Sequence, residues 1–366
     1  MDGLSRRTYR KYRNEGLRET VEAGWEILYR KRLLKRKLSP VLLDKSPYTI
    51  LDRSELLQNY STPWVDERSQ SEPLEIPKKT WLSPEETFSD IEKYDVKTSF
   101  VSEIPGGIVI GPGGIGFADG KFVGDTIAPP SLLRNRMEVA VSRTIATHGP
   151  RWGYRAFLSG QEPWDDLPEL DAACPVIPLW ENYYHWLVEC IPKLRGLENY
   201  SERTGTDPVL IIPPNLPSWA QELLSIMGVD QSQCVEFRAK GYRTNQLVVP
   251  SYPEPTRSEC DWVRRNAVES VDSENDRQHR IYISRQNATR RRLANEEELM
   301  EVLEPLGFES YVLEEMSVEE QITLFSQAEI VVGPHGAGFA NTIFSDNTHV
   351  IEIFGDKLKT TFYRLA

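Results

Sequence analysis

Three short stretches of the chain hold side chains able to do chemistry. In Asn182-Tyr-Tyr-His-Trp-Leu-Val-Glu189, His185 and Glu189 stand four apart, so a helix would put them on one face. A histidine held by a carboxylate can accept a proton near neutral pH. Asn182 suits the N-cap of such a helix, and Tyr184 and Trp186 offer aromatic faces of the kind that stack on sugars. The plainer reading, that His185 caps or packs the helix, stays open beside it. In Ile281-Tyr-Ile-Ser-Arg-Gln-Asn-Ala-Thr-Arg-Arg-Arg292, a strand delivers Ser284 and Arg285 to its carboxyl end. Arg290, Arg291 and Arg292 follow in a loop. Arginine grips phosphate oxygens bidentately and keeps its charge, so a diphosphate would explain the cluster in an acidic chain. A solvated loop paired with Glu296, Glu297 and Glu298 is the plainer alternative.

The third stretch is Glu329-Ile-Val-Val-Gly-Pro-His-Gly-Ala-Gly-Phe-Ala-Asn341. It reads as a buried strand, a glycine turn and a short helix from Phe339 to Ser345. A turn of this kind presents backbone N–H groups at a positive helix end, which suits a phosphate. The order is G-x-x-G-x-G, so it is not the dinucleotide fingerprint. Glycine turns of this kind also serve backbone geometry alone. His335 points further, because the turn itself does not need a bulky titratable residue.

Several chemistries lack their residues. The four cysteines, Cys174, Cys190, Cys234 and Cys260, form no C-x-x-C pair, and no H-E-x-x-H occurs, which argues against zinc. They read as reduced, mostly buried thiols of a cytoplasmic protein. No strand ends in a clear D-x-D, and no G-x-S-x-G or kinase motif is found. No stretch reaches the roughly 18 apolar residues that span a bilayer, and no apolar core follows the first charges as in a signal peptide.

The net charge is −12. Its distribution is uneven, since residues 1–38 are rich in Lys and Arg and the remainder is strongly acidic. An acidic body argues against nucleic acid as the main partner. The basic segment has Leu17, Val21, Trp25 and Leu28 on one helical stripe and ends in Lys31-Arg-Leu-Leu-Lys-Arg-Lys37. It reads either as a peripheral helix on an anionic membrane surface or as a helix packed on the body.

The elements that must position these stretches are legible in outline. After a helix over 1–40, residues 41–95 read as an extended linker. Short strands with glycine turns follow from Thr98 to Asp125, with Asp119-Gly120 as a hairpin signal. Strands and helices then alternate twice. The first series runs from a strand at Cys174–Leu179, through a helix at Tyr184–Leu197 that contains Pro192, to a strand at Gln246–Val249. The second has strands starting at Arg280, Glu309, Glu329 and His349, with a capping box at Ser317-Val-Glu-Glu320. This predicts an α/β protein of two Rossmann-like domains facing a cleft, 96–271 and 272–366, with a small antiparallel meander in the first.

Three segments together resemble glycosyltransferase family 61: NYYHWLVECIPKLRGL (182–197), ISRQNATRRRLANEEEL (283–299) and MSVEEQITLFSQAEIVVGPHGAGFANTIF (316–344). The family includes plant xylan-decorating pentosyltransferases, animal N-acetylglucosaminyltransferases acting on proteins, and microbial capsular polysaccharide proteins. The resemblance implies a GT-B architecture and inverting transfer from a nucleotide sugar, usually a UDP-sugar. It implies no cofactor and no essential metal. The acceptor would be a glycan, glycolipid or glycoprotein hydroxyl; the protein itself is expected in the cytoplasm or peripheral to the inner face of the cell membrane, the latter through the basic segment 1–38, which is not part of the family pattern. The resemblance places Ser284, Arg285, Arg290 or Arg291, His335, Gly336, Gly338 and Asn341 on the donor, with Glu352 near the ribose. Asn182, Tyr184 and Trp186 fall on the acceptor side, with His185 or Glu189 as base. Family members usually continue past the Glu352 strand with further helices, so a chain ending at Ala366 reads either as a truncated donor domain or as a natively short one. A non-catalytic nucleotide-sugar sensor or scaffold that keeps the fold is the competing reading.

Overall fold

The computed structural model describes residues 38–66, 98–159, 166–238, 240–271, 279–355, 361–362 and 365, and the backbone of 74–75 and 93–94. Of the basic helix expected over residues 1–40, residues 1–37 lie outside the described residues. The chain divides into two compact units, each discontinuous in sequence, whereas the sequence reading divides it at 271/272. One gathers Met1–Ser61, Ser102–Leu179 and Phe237–Val249. The other gathers Thr62–Val101, Trp180–Glu236 and Pro250–Ala366.

In the first unit, strands Ile108–Ile110, Ile115–Ala118 and Lys121–Val123 form an antiparallel meander. Asp119 and Gly120 have φ of 48° and 71°, the left-handed pair whose twist suits a two-residue hairpin. Gly241–Pro250 pairs antiparallel with Ile108–Ile110 and parallel with Glu169–Pro175. Helices Leu133–His148 and Pro150–Phe157 pack on the meander through Met137, Ile145 and Phe157, against Phe117 and Phe122.

Two sequence expectations change here. Residues 41–65, read as linker from their polar and proline-bearing composition, fold with the two residues before them into short elements: helices Ser39–Asp44 and Arg53–Asn59, strands Thr49–Leu51 and Ser61–Val65. Thr49–Leu51 extends the meander in parallel with Lys121–Val123, and Arg53 donates to Asp125 at 2.7 Å. Elements of three to seven residues show no periodicity, and pairing with distant strands forms them. The strand expected at Cys174–Leu179 is Glu169–Pro175 instead. Pro175 and Pro178 carry no N–H, so the ladder ends where they begin.

In the second unit, four parallel strands lie in the order Phe308–Tyr311, His279–Ile283, Ala328–Pro334, His349–Ile353. Ile281, Tyr282, Val331 and Val332 are buried, the continuous apolar run that a parallel strand covered on both faces requires. Tyr282 and Val332 pack with Leu303 of helix Glu296–Leu303 and with Phe308. Helix Val318–Ser326 starts at a reciprocal cap between Ser317 and Glu320 and buries Ile322 and Phe325. Full burial of such side chains stabilises by about 1.5–3 kcal/mol each. The same unit holds helix Arg257–Ser270, which packs on helix Val318–Ser326 and on the 3₁₀ segment Ala337–Phe344. No helix among the described residues is long and apolar enough to cross a membrane.

The helix expected over Tyr184–Leu197 is broken into parts. One turn, Tyr183–His185, leads into a π turn, Trp186–Cys190, and a regular helix resumes at Lys193–Thr204. Pro192 cannot donate to the carbonyl four residues back, and ahead of it Ile191 N–H bonds five back, to Trp186 at 3.0 Å. Glu189 thereby lies inside a widened turn behind His185.

Glu259, on helix Arg257–Ser270, is fully buried and accepts a hydrogen bond from Ser99 Oγ at 3.0 Å. Burial lifts its carboxyl to about 7 from an ordinary 4.5, helped by Glu254 and opposed by the Ser99 bond and by Arg195. The folded state therefore holds this proton longer than the unfolded chain does. Its contribution is complete below about pH 4.5 and is lost as pH rises to 7, about 3 kcal/mol in all. Glu259→Gln should remove that decline and leave the protein more stable than wild type above pH 7. Urea melts at pH 5 and pH 8 measure the difference, and an unchanged pH slope would refute it.

Candidate active site

The site lies within the second unit, at the carboxyl ends of strands His279–Ile283 and Ala328–Pro334. Ligands of parallel sheets bind at that end. The three glycines of the turn serve close approach, because none of them has positive φ. A Cβ on Gly333 would stand 3.0 Å from the Ile283 carbonyl, and one on Gly338 would stand 2.8 Å from Leu313 Cδ1. A Cβ on Gly336 would meet Arg285 Nη1 at 2.0 Å. The turn is therefore glycine at 336 so that a guanidinium can lie against its backbone.

Arg285 is an uncomfortable cation. Burial, and after it the charge of Arg291, push its pKa below the ordinary arginine value. Its Nη2 donates to the Arg290 carbonyl at 3.2 Å, and its Nε is buried without a hydrogen-bond partner among the described residues. Gly336 is also the N-cap of the 3₁₀ segment Ala337–Phe344, whose first N–H groups have no partner within the segment. A half-buried guanidinium, an orphan donor and a helix start thus converge on one point. That combination suits an anion with several oxygens.

The remaining residues expected on the donor side divide by burial. Arg290, Arg291 and Arg292 are exposed, and Arg291 takes a left-handed φ of 59°. Ser284 is buried; its hydroxyl donates to Glu296 and accepts from Gln286 N–H at 3.2 Å, which fixes the start of the arginine loop. Asn341 is fully buried with both ends of its amide engaged. It accepts from Tyr183 Oη at 2.5 Å and donates to Gln321 at 2.8 Å. Gln321 in turn donates to the Leu313 carbonyl at 3.0 Å. This chain ties the 3₁₀ segment to the Asn182 stretch. His335 Nδ1 bonds Glu352, and its ring stacks on Phe354 at 5.5 Å.

In the Asn182 stretch, the Asn182 side chain accepts from His185 N–H at 3.1 Å and caps the turn. His185 Nδ1 stands 2.8 Å from Glu189 Oε2. Tyr252 Oη donates to the same oxygen at 2.6 Å. Glu189 and Tyr252 are buried, whereas His185 keeps 18% of its side chain exposed. The result is a file from surface to interior: imidazole, carboxylate, phenol. The Nδ1 contact is a close approach without regular hydrogen-bond geometry among the described residues, and a carboxylate so placed can orient an imidazole. Trp180 and Tyr184 flank the imidazole, with centroids at 4.9 and 5.1 Å. Trp186 is buried and turns into the core, so Trp180 is the exposed indole.

Tyr252, Gln321 and Phe362 are not signalled by the sequence, whereas Tyr183 belongs with Trp180, Tyr184 and Trp186 to the aromatics that surround His185 in it. Tyr252 is 63 residues from Glu189, with no spacing to signal the contact. A cavity of about 420 Å³ also borders this unit, near the start of strand His349–Ile353. Its Arg264 faces Asp261 at 3.4 Å and Asp346 at 3.9 Å, and it holds none of the residues described above. The polar groups described above converge elsewhere, at Arg285. Among the described residues, no group of three or more His, Cys, Asp or Glu is placed to hold a metal ion.

Residues 183–351 match the family model described as Glycosyltransferase 61. The chain carries a glycosyltransferase family 61 domain. It is accordingly an enzyme of the glycosyltransferase class, and the match spans the histidine, arginine and glycine stretches alike. No curated protein matches the chain.

Gly336→Ala tests the close approach in this glycosyltransferase. The added methyl displaces the flexible end of Arg285 rather than backbone. Affinity for inorganic pyrophosphate should fall about tenfold, the loss of one charge-assisted contact. The melting temperature should barely move. Undiminished pyrophosphate binding by calorimetry would remove Arg285 from the anion site.

Proposed function

We propose that this glycosyltransferase moves a sugar, with inversion, from a nucleotide sugar of the UDP class to a hydroxyl of a glycan, glycolipid or glycoprotein. The observation that carries the reading is the half-buried Arg285 guanidinium held against Gly336, with its Nε buried and unpartnered among the described residues. A nucleoside diphosphate would supply the acceptor that this Nε lacks and add to the opposing charge of Glu314. Arg290 and Arg291, across the loop, would add screening as the ligand arrives. His335, oriented by Glu352, belongs to the same side.

The reaction is a single displacement. The acceptor hydroxyl gives its proton to His185 Nε2 while its oxygen attacks the anomeric carbon. The bond from that carbon to the phosphate oxygen breaks, and its electron pair leaves with the nucleoside diphosphate. Glu189 stabilises the imidazolium that forms, and Tyr252 fixes Glu189. Arg285 and the N–H groups after Gly336 stabilise the charge on the departing diphosphate, which no essential metal need bridge. Trp180 and Tyr184 suit the acceptor sugar faces. We further read the fold as GT-B, with acceptor side 96–271 and donor side 272–366. The basic segment 1–38 would hold the enzyme on the cytoplasmic face of an anionic membrane.

Calorimetry with uridine and guanosine diphosphates, followed by a donor screen, tests this. Arg285→Ala should weaken diphosphate binding at least tenfold. His185→Gln should leave binding intact and lower kcat by about 10²–10⁴-fold, the span of general base catalysis. Tyr252→Phe should fall between wild type and His185→Gln. If no nucleoside diphosphate binds, the donor assignment fails. If one binds and no sugar is ever transferred or hydrolysed, the sensor or scaffold reading replaces catalysis.

A further inference from the structure

Two histidine–carboxylate pairs stand in one unit: His185 with Glu189, and His335 with Glu352. They come from stretches 150 residues apart, and the two imidazoles share no direct contact among those described. Phe362 lies between them. Its ring is buried and meets Tyr184 edge-on, with centroids 5.6 Å apart and planes at 88°. It meets His335 at 5.2 Å and Phe339 at 5.7 Å. Tyr184 in turn meets His185 edge-on at 5.1 Å. A continuous file of rings, His185–Tyr184–Phe362–His335, therefore joins the two pairs.

We propose that Phe362 is a positioning residue that sets the spacing between the two histidine–carboxylate pairs. It touches neither reacting atom in the mechanism above. Aromatic rings at these distances prefer edge-to-face or offset arrangements, so each ring restricts its neighbour. Tyr184 is the lever on one side, since it sits next to His185 in the single capped turn Tyr183–His185. On the other side His335 is clamped between Phe362 and Phe354. Packed interiors transmit such displacements because they hold few voids. The inference rests on the reading of His185 as base and His335 as donor-side residue only for its catalytic consequence. The structural coupling stands without it.

The test uses the full chain with ¹³C-labelled histidine. With the label placed at Cε1, each of the five histidines gives one ring signal. Phe362→Ala should move the His335 signal, which it touches, and also the His185 signal, which it does not touch. Phe354→Ala serves as the control and should move His335 alone. Phe362→Tyr should return both signals close to wild type. If Phe362→Ala does not fold, Phe362→Leu keeps the volume without the ring and should still move both. A His185 signal unmoved in the folded Ala or Leu variant would overturn the proposal. Where a transferable donor is in hand, Phe362→Ala should lower kcat by about tenfold to a hundredfold, the effect of small misplacement at a reacting centre. A kcat within twofold of wild type in that folded variant would also overturn it. Failure of the base assignment shows separately, as full turnover by His185→Gln.

Discussion

A guanidinium laid against a glycine backbone organises the site. Burial and a neighbouring arginine both disfavour the charge on Arg285, yet arginine cannot shed its proton as lysine can. The cost is met by holding the side chain where few alternatives exist. The Arg290 carbonyl takes one N–H, and the surface of Gly336 takes the face. This single contact explains why position 336 has no side chain. It also explains why strand His279–Ile283 must lie beside strand Ala328–Pro334, since only adjacent parallel strands bring their carboxyl ends this close. The order of the four-stranded sheet is thus a requirement of the site as well as of the core.

The histidine half of the candidate site depends on a different device. A π turn, forced by Pro192, holds Glu189 behind His185 in the interior. A straight helix would also put these residues on one face, but it would not by itself bury the carboxylate. Burial matters because an exposed carboxylate is screened by water and orients its partner weakly. Tyr252 then occupies the oxygen that faces His185, so the carboxylate keeps one orientation. The Tyr183–Asn341–Gln321 chain fastens this turn to the segment that follows the glycines. Asn341 therefore acts on the site through what it holds in place. The same distinction between touching and holding separates Ser284 from Arg285, which are adjacent in sequence and opposite in role.

Legibility from sequence followed the range of the interactions. The parallel strands of the second unit, the capping box at Ser317 and the Asp119-Gly120 turn were readable because each is specified within about ten residues. So was the pairing of His185 with Glu189, which needs only helical spacing. The elements over 39–65 were not readable, because Thr49–Leu51 exists by pairing with Lys121–Val123 some seventy residues away. Tyr252 and Phe362 were hidden for the same reason. Asn182 was right as a cap, while Trp186 was drawn to the surface by its motif when its size sends it into the core. Aromatic residues in a motif carry no sign for inward or outward, and the break at Pro192 rotates the positions after it relative to a straight helix.

The glycines of the turn show where pattern reading stops and geometry begins. A glycine-rich turn invites an account in terms of φ, because glycine alone enters the left-handed region at no cost. Here the backbone at 333, 336 and 338 is ordinary, and the three glycines are small rather than flexible. Gly333 makes room for a neighbouring strand, Gly338 for Leu313, and Gly336 for a cation. These are three different reasons for one residue type, and only the third concerns a ligand. The spacing G-x-x-G-x-G consequently has no meaning as a unit, which is why it matched no nucleotide fingerprint. What makes the turn a candidate donor site is the arginine that approaches it from another strand. The informative motif is the pair Arg285 and Gly336, fifty-one residues apart, and it becomes visible only when the two strands are laid side by side.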